Sequence, residues 1–205
     1  MTRLRVLVLT KTAALGGAER LLINSLPYLD RIAYDYRFAV LEPEGPLGGA
    51  CARAGLPFEP LPHRSAFDPR NAWALRNRLL RERIDLVHAH LPLPGALARI
   101  AARGLATRVI YTEHNTQEMY RRGSRVLNAA TYGWQTRVVA VSERVRDSAA
   151  SRIGARAARR TTVVHNGIDF AALEREARGA PESPLPCGEP DAIRVLVPAT
   201  LAPRK

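Results

Sequence analysis

The chain has 205 residues, 46% of them hydrophobic and 24% charged, enough for one α/β domain of ordinary size and too apolar for intrinsic disorder. Its net charge of +12 rests almost wholly on arginine, Lys11 and Lys205 being its lysines, and favours anionic partners: nucleotide phosphates, acidic lipid headgroups or nucleic acid. No apolar stretch approaches the roughly 18 residues of a membrane span, and the amino-terminal residues lack a leader pattern with a small-residue cleavage site, so a cytoplasmic protein is expected.

Arg5 to Leu9 predicts a buried strand ending at Thr10. After Lys11 to Leu15, Gly16-Gly17-Ala18-Glu19 opens a helix expected to run to Leu29, with Pro27 interrupting it. Glycines at a strand-to-helix turn permit positive φ and a close backbone approach, and a helix start offers free N–H groups and partial positive charge. A phosphate cradle and a tight turn capped by Glu19 are both open readings. The segment is neither GxGxxG nor a P-loop.

A strand over Tyr36 to Leu41 follows, then helices over Leu47 to Ala54 and Asn71 to Arg83. The next strand, Leu86 to Ala89, leads into His90. His88 and His90 alternate along it and so share one side of the sheet. Two histidines at that spacing can ligate a metal, but without a third ligand in the sequence they are read as a polar strand end lining a cleft. No metal is expected.

Beyond a helix over Gly95 to Arg103, the strand Arg108 to Thr112 runs into Glu113-His114-Asn115-Thr116. Ligands of open parallel sheets bind outside the carboxyl ends of strands, so this polar cluster marks a crevice, with His114 as its candidate functional side chain. Imidazole can donate to or accept from a ligand hydroxyl near neutral pH; a histidine that only caps the next helix is the alternative. That helix is expected over Gln117 to Tyr132. A strand over Val138 to Val141 then places Ser142 as N-cap of a helix over Glu143 to Ile153, or as a lining residue of the cleft. After a strand at Thr162 to Val164, the turn His165-Asn166-Gly167-Ile168-Asp169 predicts left-handed geometry at Asn-Gly and a short helix capped by Asp169.

Strands apolar on both faces, alternating with helices, predict a doubly wound, mostly parallel Rossmann-like sheet with helices on both faces. Residues 179–190, rich in proline and glycine, read as a linker. Ile193 to Val197 reads as the first strand of a second domain that the chain truncates after 191–205, leaving 1–178 as the amino-terminal domain. Cys51 and Cys187, far apart and without CxxC spacing, read as free thiols.

Five pieces in order resemble glycosyltransferase family 4: Gly16-Gly17-Ala18-Glu19, Leu86-Val87-His88-Ala89-His90, Thr112-Glu113-His114-Asn115, Val139-Ala140-Val141-Ser142-Glu143 and Val164-His165-Asn166-Gly167-Ile168-Asp169. The resemblance implies a GT-B fold of two Rossmann-like domains, this chain being the first, on the acceptor side. It implies transfer of a sugar, as by a hexosyltransferase, from a nucleotide-diphosphate sugar to an acceptor hydroxyl, with retention and without a metal or other cofactor. Gly16 and Gly17 would approach the donor, and His114 would contact the transferred sugar or position the acceptor. His90, Asn115 and Ser142 would line the substrate cleft. The tail Val197 to Lys205 resembles the opening of the family's second domain. There Lys205 matches a lysine that binds the donor diphosphate, while Thr200 and Ala199 stand where an arginine and a glycine are expected. The paired glutamates of the donor site would fall beyond Lys205, so the isolated chain is expected to be inactive.

Family members often act on polysaccharide, lipid-linked sugars or cell-envelope precursors, which implies a sugar or lipid-linked acceptor and peripheral contact with anionic membrane. A non-catalytic module, or one subunit of a split transferase, is the alternative. Nucleic acid is not expected as a partner, because the chain carries no recognised motif and 6% aromatic residues offer few stacking platforms.

Overall fold

The computed structural model describes residues 3–63, 65, 67–155 and 159–179, and the chain divides into two compact units, Met1–Ile168 and Asp169–Lys205. The first unit holds one sheet of seven strands in the order β3-β2-β1-β4-β5-β6-β7: β1 Leu4–Thr12, β2 Tyr34–Glu42, β3 Phe58–Pro60, β4 Leu86–His90, β5 Arg108–Glu113, β6 Arg137–Ala140 and β7 Thr161–Val163. Every pairing is parallel. The connecting helices are α1 Gly17–Ser25, α2 Pro46–Arg53, α3 Arg70–Arg81, α4 Pro92–Ala102, α5 Arg122–Thr131 and α6 Glu143–Ile153.

Alternation along β1 and β2 sends side chains to two different cores. Val6, Val8, Phe38 and Val40 pack under α1 and α2 with Leu22, Leu47 and Cys51, whereas Leu7, Leu9, Ala39 and Leu41 pack under α3 and α4 with Leu75, Leu79, Leu93 and Leu97. Because both faces of these strands are covered, the strands read as continuous apolar runs rather than an alternating pattern. Each fully buried Leu or Val contributes about 1.5–3 kcal/mol of transfer free energy, so the central strands form a rigid base for whatever stands at their ends. Cys51 is a buried free thiol, and desolvation pushes its pKa up to about 11; Cys187 lies outside the described residues.

Three local departures from the sequence pattern have physical causes. Pro27, which has no N–H to donate, ends α1 at Ser25, and Leu26–Tyr28 tightens into a 3-10 turn. The stretch from Gln117 to Tyr132 is not one helix: a 3-10 turn at Gln117–Met119 gives way to extended backbone at Tyr120 and Arg121 before α5 begins. The edge strand β3 is three residues long and ends in Pro60, too short to leave a periodic signal and tolerant of proline because it borders only β2.

In the second unit, α7 spans Phe170–Gly179. Asp169 caps it by accepting a hydrogen bond from the Ala172 N–H at 2.9 Å. The linker and second-domain residues from 180 onward, with Ala199, Thr200 and Lys205, lie outside the described residues.

Candidate active site at the carboxyl edge of the sheet

The chain crosses from β1 to β2 on one side and reaches β4 on the other, so the order of strands reverses between β1 and β4. In an open parallel sheet a crevice forms at such a switch point, outside the carboxyl ends of the strands. Gly16 and Gly17 follow β1 and His90 ends β4; His114 and Asn115 follow β5, the next neighbour. The topology thus brings all five to one edge.

At the β1 side, Glu19 folds back and is nearly fully buried, its carboxylate accepting a hydrogen bond from Thr10 Oγ1 at 3.0 Å. This explains Gly16, where a Cβ would stand 2.5 Å from Glu19 Oε2. Gly16 is the N-cap of α1 in ordinary extended geometry, φ −106° and ψ 175°, with no side-chain cap on the helix. A Cβ on Gly17 would meet nothing within 4 Å. Positive φ, expected from sequence, is used at neither glycine. Gly16 makes room for a protein carboxylate, and Gly17 leaves open space over an uncapped helix start, where N–H groups can meet an anion.

Across the switch point, His88, His90 and His114 form a row. The His88 and His90 ring centroids lie 4.3 Å apart, those of His90 and His114 5.2 Å. His88 Nε2 is 2.7 Å from Thr112 Oγ1, and His90 Nδ1 is 2.9 Å from His114 Nε2. Removal from water holds all three neutral: it lowers His88 and His114 to about 4 and His90 well below its usual range, with charge repulsion from the neighbouring rings adding to the effect at His88 and His90. His88 and His90 do share a face, and both line a cavity of about 320 Å³ with Val8, Phe38, Thr112 and Val139. Among the described residues, no group of three or more His, Cys, Asp or Glu side chains is placed to hold a metal ion.

The loop that carries His114 and Asn115 is anchored from beneath. Glu113 is fully buried and accepts hydrogen bonds from Gln117 Nε2 at 2.7 Å and from the Tyr120 hydroxyl. Burial raises its pKa, with those hydrogen bonds pulling the other way. Tyr120 Oη in turn accepts from the Asn115 N–H at 3.1 Å, and the Gln117 N–H donates to Ser148 Oγ at 2.8 Å. Drawing Tyr120 and Gln117 to one carboxylate turns the chain there, which is why the helix expected from Gln117 is broken. Sequence reading missed this clamp. Its only trace was a glutamate inside a strand-end motif, and burial of that glutamate could not be read locally.

Sequence reading also missed Leu91, which follows His90 with φ +73°, a conformation costly for a residue with a Cβ and found most often at functional sites. The helix behind it starts at Pro92, three residues earlier than expected, proline being suited to a first helical position. Ser142, at the carboxyl end of β6, caps α6: its Oγ accepts from the Val145 N–H at 3.3 Å. Asn166 and Gly167 line the 320 Å³ cavity without the left-handed geometry expected of them.

The model of Glycosyltransferase Family 4 matches residues 15–172. None of the curated proteins matches the chain, but solved structures do. HepE from Anabaena, in complex with UDP-glucose, superposes with a TM-score of 0.68 at 19% identity, covering 86% of this chain and 50% of that one. A glycosyltransferase from Rickettsia africae gives 0.58 at 15% identity over 87% and 49% of the two chains. Sucrose-phosphate synthase from Thermosynechococcus elongatus gives 0.61 at 12% identity over 87% and 53%. The chain spans about half the length of these proteins, and its doubly wound parallel sheet has the fold of one Rossmann-like domain of the GT-B type. With more than half of its residues under the family model, and with the open helix start and the histidine row at one sheet edge, the chain belongs to glycosyltransferase family 4.

Proposed function

We propose that the protein transfers a hexosyl unit from a nucleotide-diphosphate sugar to an acceptor hydroxyl, with residues 1–178 as the acceptor-side domain, 179–190 as linker and 191–205 as the start of a donor-binding domain. The observation that carries this reading is that an uncapped, unobstructed helix start at Gly17 and the neutral His90–His114 pair lie at the same carboxyl edge of the sheet, at and beside the β1/β4 switch point. UDP-glucose bound to HepE supports a nucleotide sugar as donor. In the step itself the bond from the anomeric carbon to the diphosphate breaks, a bond to the acceptor oxygen forms, and the acceptor's proton passes to the departing diphosphate. Retention of configuration and independence from metal follow the family pattern and are part of the proposal.

Gly17 lets the leaving diphosphate approach the α1 N–H groups, which stabilise its growing charge. His114 hydrogen-bonds the transferred sugar or the acceptor. Asn115, His90 and Ser142 complete the lining, and Lys205 is proposed to bind the donor diphosphate because it matches the family's diphosphate-binding lysine. Transfer assays over a panel of nucleotide sugars, with this chain joined to a complementary donor-binding domain and with its His114→Ala variant, test the assignment. Loss of one substrate hydrogen bond lowers kcat/KM roughly 10- to 100-fold, and an unchanged value would remove His114 from the site.

The acceptor is proposed to be a sugar or lipid-linked sugar met at an anionic membrane surface. Among the described residues no helix is long and apolar enough to cross a membrane. Exposed Phe67 and Met119 stand on loops at the carboxyl edge with Arg121 and Arg122, and Trp73 is exposed in the first turn of α3. A Cβ at Gly123 would come 3.9 Å from the Phe67 ring, so the α5 start and the Phe67 loop adjoin.

A further inference from the structure

The pair His90–His114 is asymmetric. His90 is only 4% exposed; its Nδ1 sits 2.9 Å from His114 Nε2, while its other nitrogen, Nε2, is buried with no hydrogen-bond partner. His114 is partly exposed, and its Nδ1 has no partner among the described residues. A neutral imidazole carries one N–H, and the hydrogen bond made by one nitrogen decides which of the two bears it.

Two arrangements keep the 2.9 Å contact. In one, His114 Nε2–H donates to His90 Nδ1; the single proton of His90 must then sit on Nε2, leaving a buried donor with no acceptor. In the other, His90 Nδ1–H donates to His114 Nε2, and only a lone pair is left bare at His90 Nε2. Orphaned buried N–H donors are rarer in folded proteins than under-used acceptors, and an unmet donor bears the full desolvation penalty. The contact is the same in both, so the orphan decides.

We infer that His90 is a positioning residue that donates Nδ1–H to His114 Nε2, thereby fixing His114 as the tautomer that offers an Nδ1–H donor to an oxygen of the substrate. The low basicity of both rings keeps each in its single-proton form near neutral pH. His114 is then a hydrogen-bond donor to a hydroxyl or phosphate oxygen and not a general base. Buried His90, which cannot itself reach bulk solvent, carries the specificity of that proton's placement. The substrate oxygen as recipient rests on the function proposed above; the tautomer assignment does not.

Nitrogen-15 NMR of the imidazoles in the 205-residue chain at pH 7 separates the two. The five histidines are assigned by single replacement of His63, His88 and His165 with glutamine, followed by His90→Asn. The expected spectrum has His114 Nδ1 and His90 Nδ1 of the protonated, pyrrole type and both Nε2 atoms of the bare, pyridine type. Asparagine can present an N–H near the position of imidazole Nδ1, so His90→Asn keeps the His114 pattern, whereas His90→Leu, with native backbone spectra, shifts His114 toward Nε2–H. A pyrrole-type His114 Nε2 in the wild type would overturn the inference, as would protonation of both its nitrogens or an unmoved pattern in folded His90→Leu. If His90→Leu fails to fold, the wild-type and His90→Asn spectra still decide it. Failure of sugar transfer by the chain joined to a complementary donor-binding domain, with the expected tautomers intact, would count against the proposed function alone.

Discussion

Gly16 and Gly17 are adjacent and chemically identical, yet different neighbours require them. A methyl at Gly16 collides with the Glu19 carboxylate at 2.5 Å, so Gly16→Ala must shift that group, and because it is buried and bonded to Thr10 a lower melting temperature is expected. A methyl at Gly17 meets nothing, so Gly17→Ala leaves the melting temperature unchanged and raises KM for the nucleotide sugar; melting curves with donor titrations read both, and equal effects at the two positions would refute the distinction. The histidine row is likewise separable by pH. Burial holds His88 and His114 at about 4 and His90 well below its ordinary 6.5. Between pH 6.5 and 4 the unfolded chain therefore takes up as many as three protons that the folded chain refuses, and each adds about 1.4 kcal/mol per pH unit to the rise of stability with pH. Glu113, raised in the fold, opposes this by at most one proton over the pH range above its ordinary value, so the net sign stands. Urea midpoints should fall from pH 7 to pH 5; a flat profile would mean the histidines are solvated. His90 and His114 were legible in the sequence because strand ends and two-residue alternation are local properties. The clamp of Glu113 with Gln117 and Tyr120, and the collision behind Gly16, were not, since both depend on which carboxylates the tertiary fold buries.

At the scale of elements, six of the seven strands could be read from apolar runs, because strands covered on both faces leave a continuous signature. The helices between them were legible in kind but less so in extent. The break between Gln117 and Arg122 was hidden, as the residues there carry no proline and their conformation is set by the buried Glu113. Helix α4 shows the reverse dependence, of a helix on its strand. Gly95 faces Tyr111 of β5, where a Cβ would come 2.7 Å from the ring, and the ring is itself fully buried beside Arg99, whose guanidinium lies 5.1 Å from its centroid and donates to Asn128 Oδ1 at 2.6 Å and to Gln135. Gly95→Ala therefore overpacks the contact between α4 and β5 and costs about 1–3 kcal/mol, read as a lower denaturation midpoint. A neutral effect would show that α4 can slide away from the strand.

For the molecule as a whole, a charge of +12 is compatible with several partners, and composition alone could not choose among them. Exposed Phe67 and Met119 stand near Arg121 and Arg122 at the carboxyl edge, which is what motivates the proposed contact with an anionic membrane surface. Flotation with vesicles containing anionic phospholipid should retain the protein at low salt and release it as salt screens the arginines; equal binding to neutral vesicles would contradict a charge-driven contact. The family was legible from five motifs because each marks a strand end at one edge of the sheet, whereas the donor and acceptor depend on loop shape and on a donor-binding domain. The most direct measurement is sugar transfer from a panel of nucleotide sugars by this chain joined to a complementary donor-binding domain, with and without His114→Ala. Turnover should fall roughly 10- to 100-fold on His114→Ala with the fold intact; activity indifferent to His114 would remove that histidine from the site.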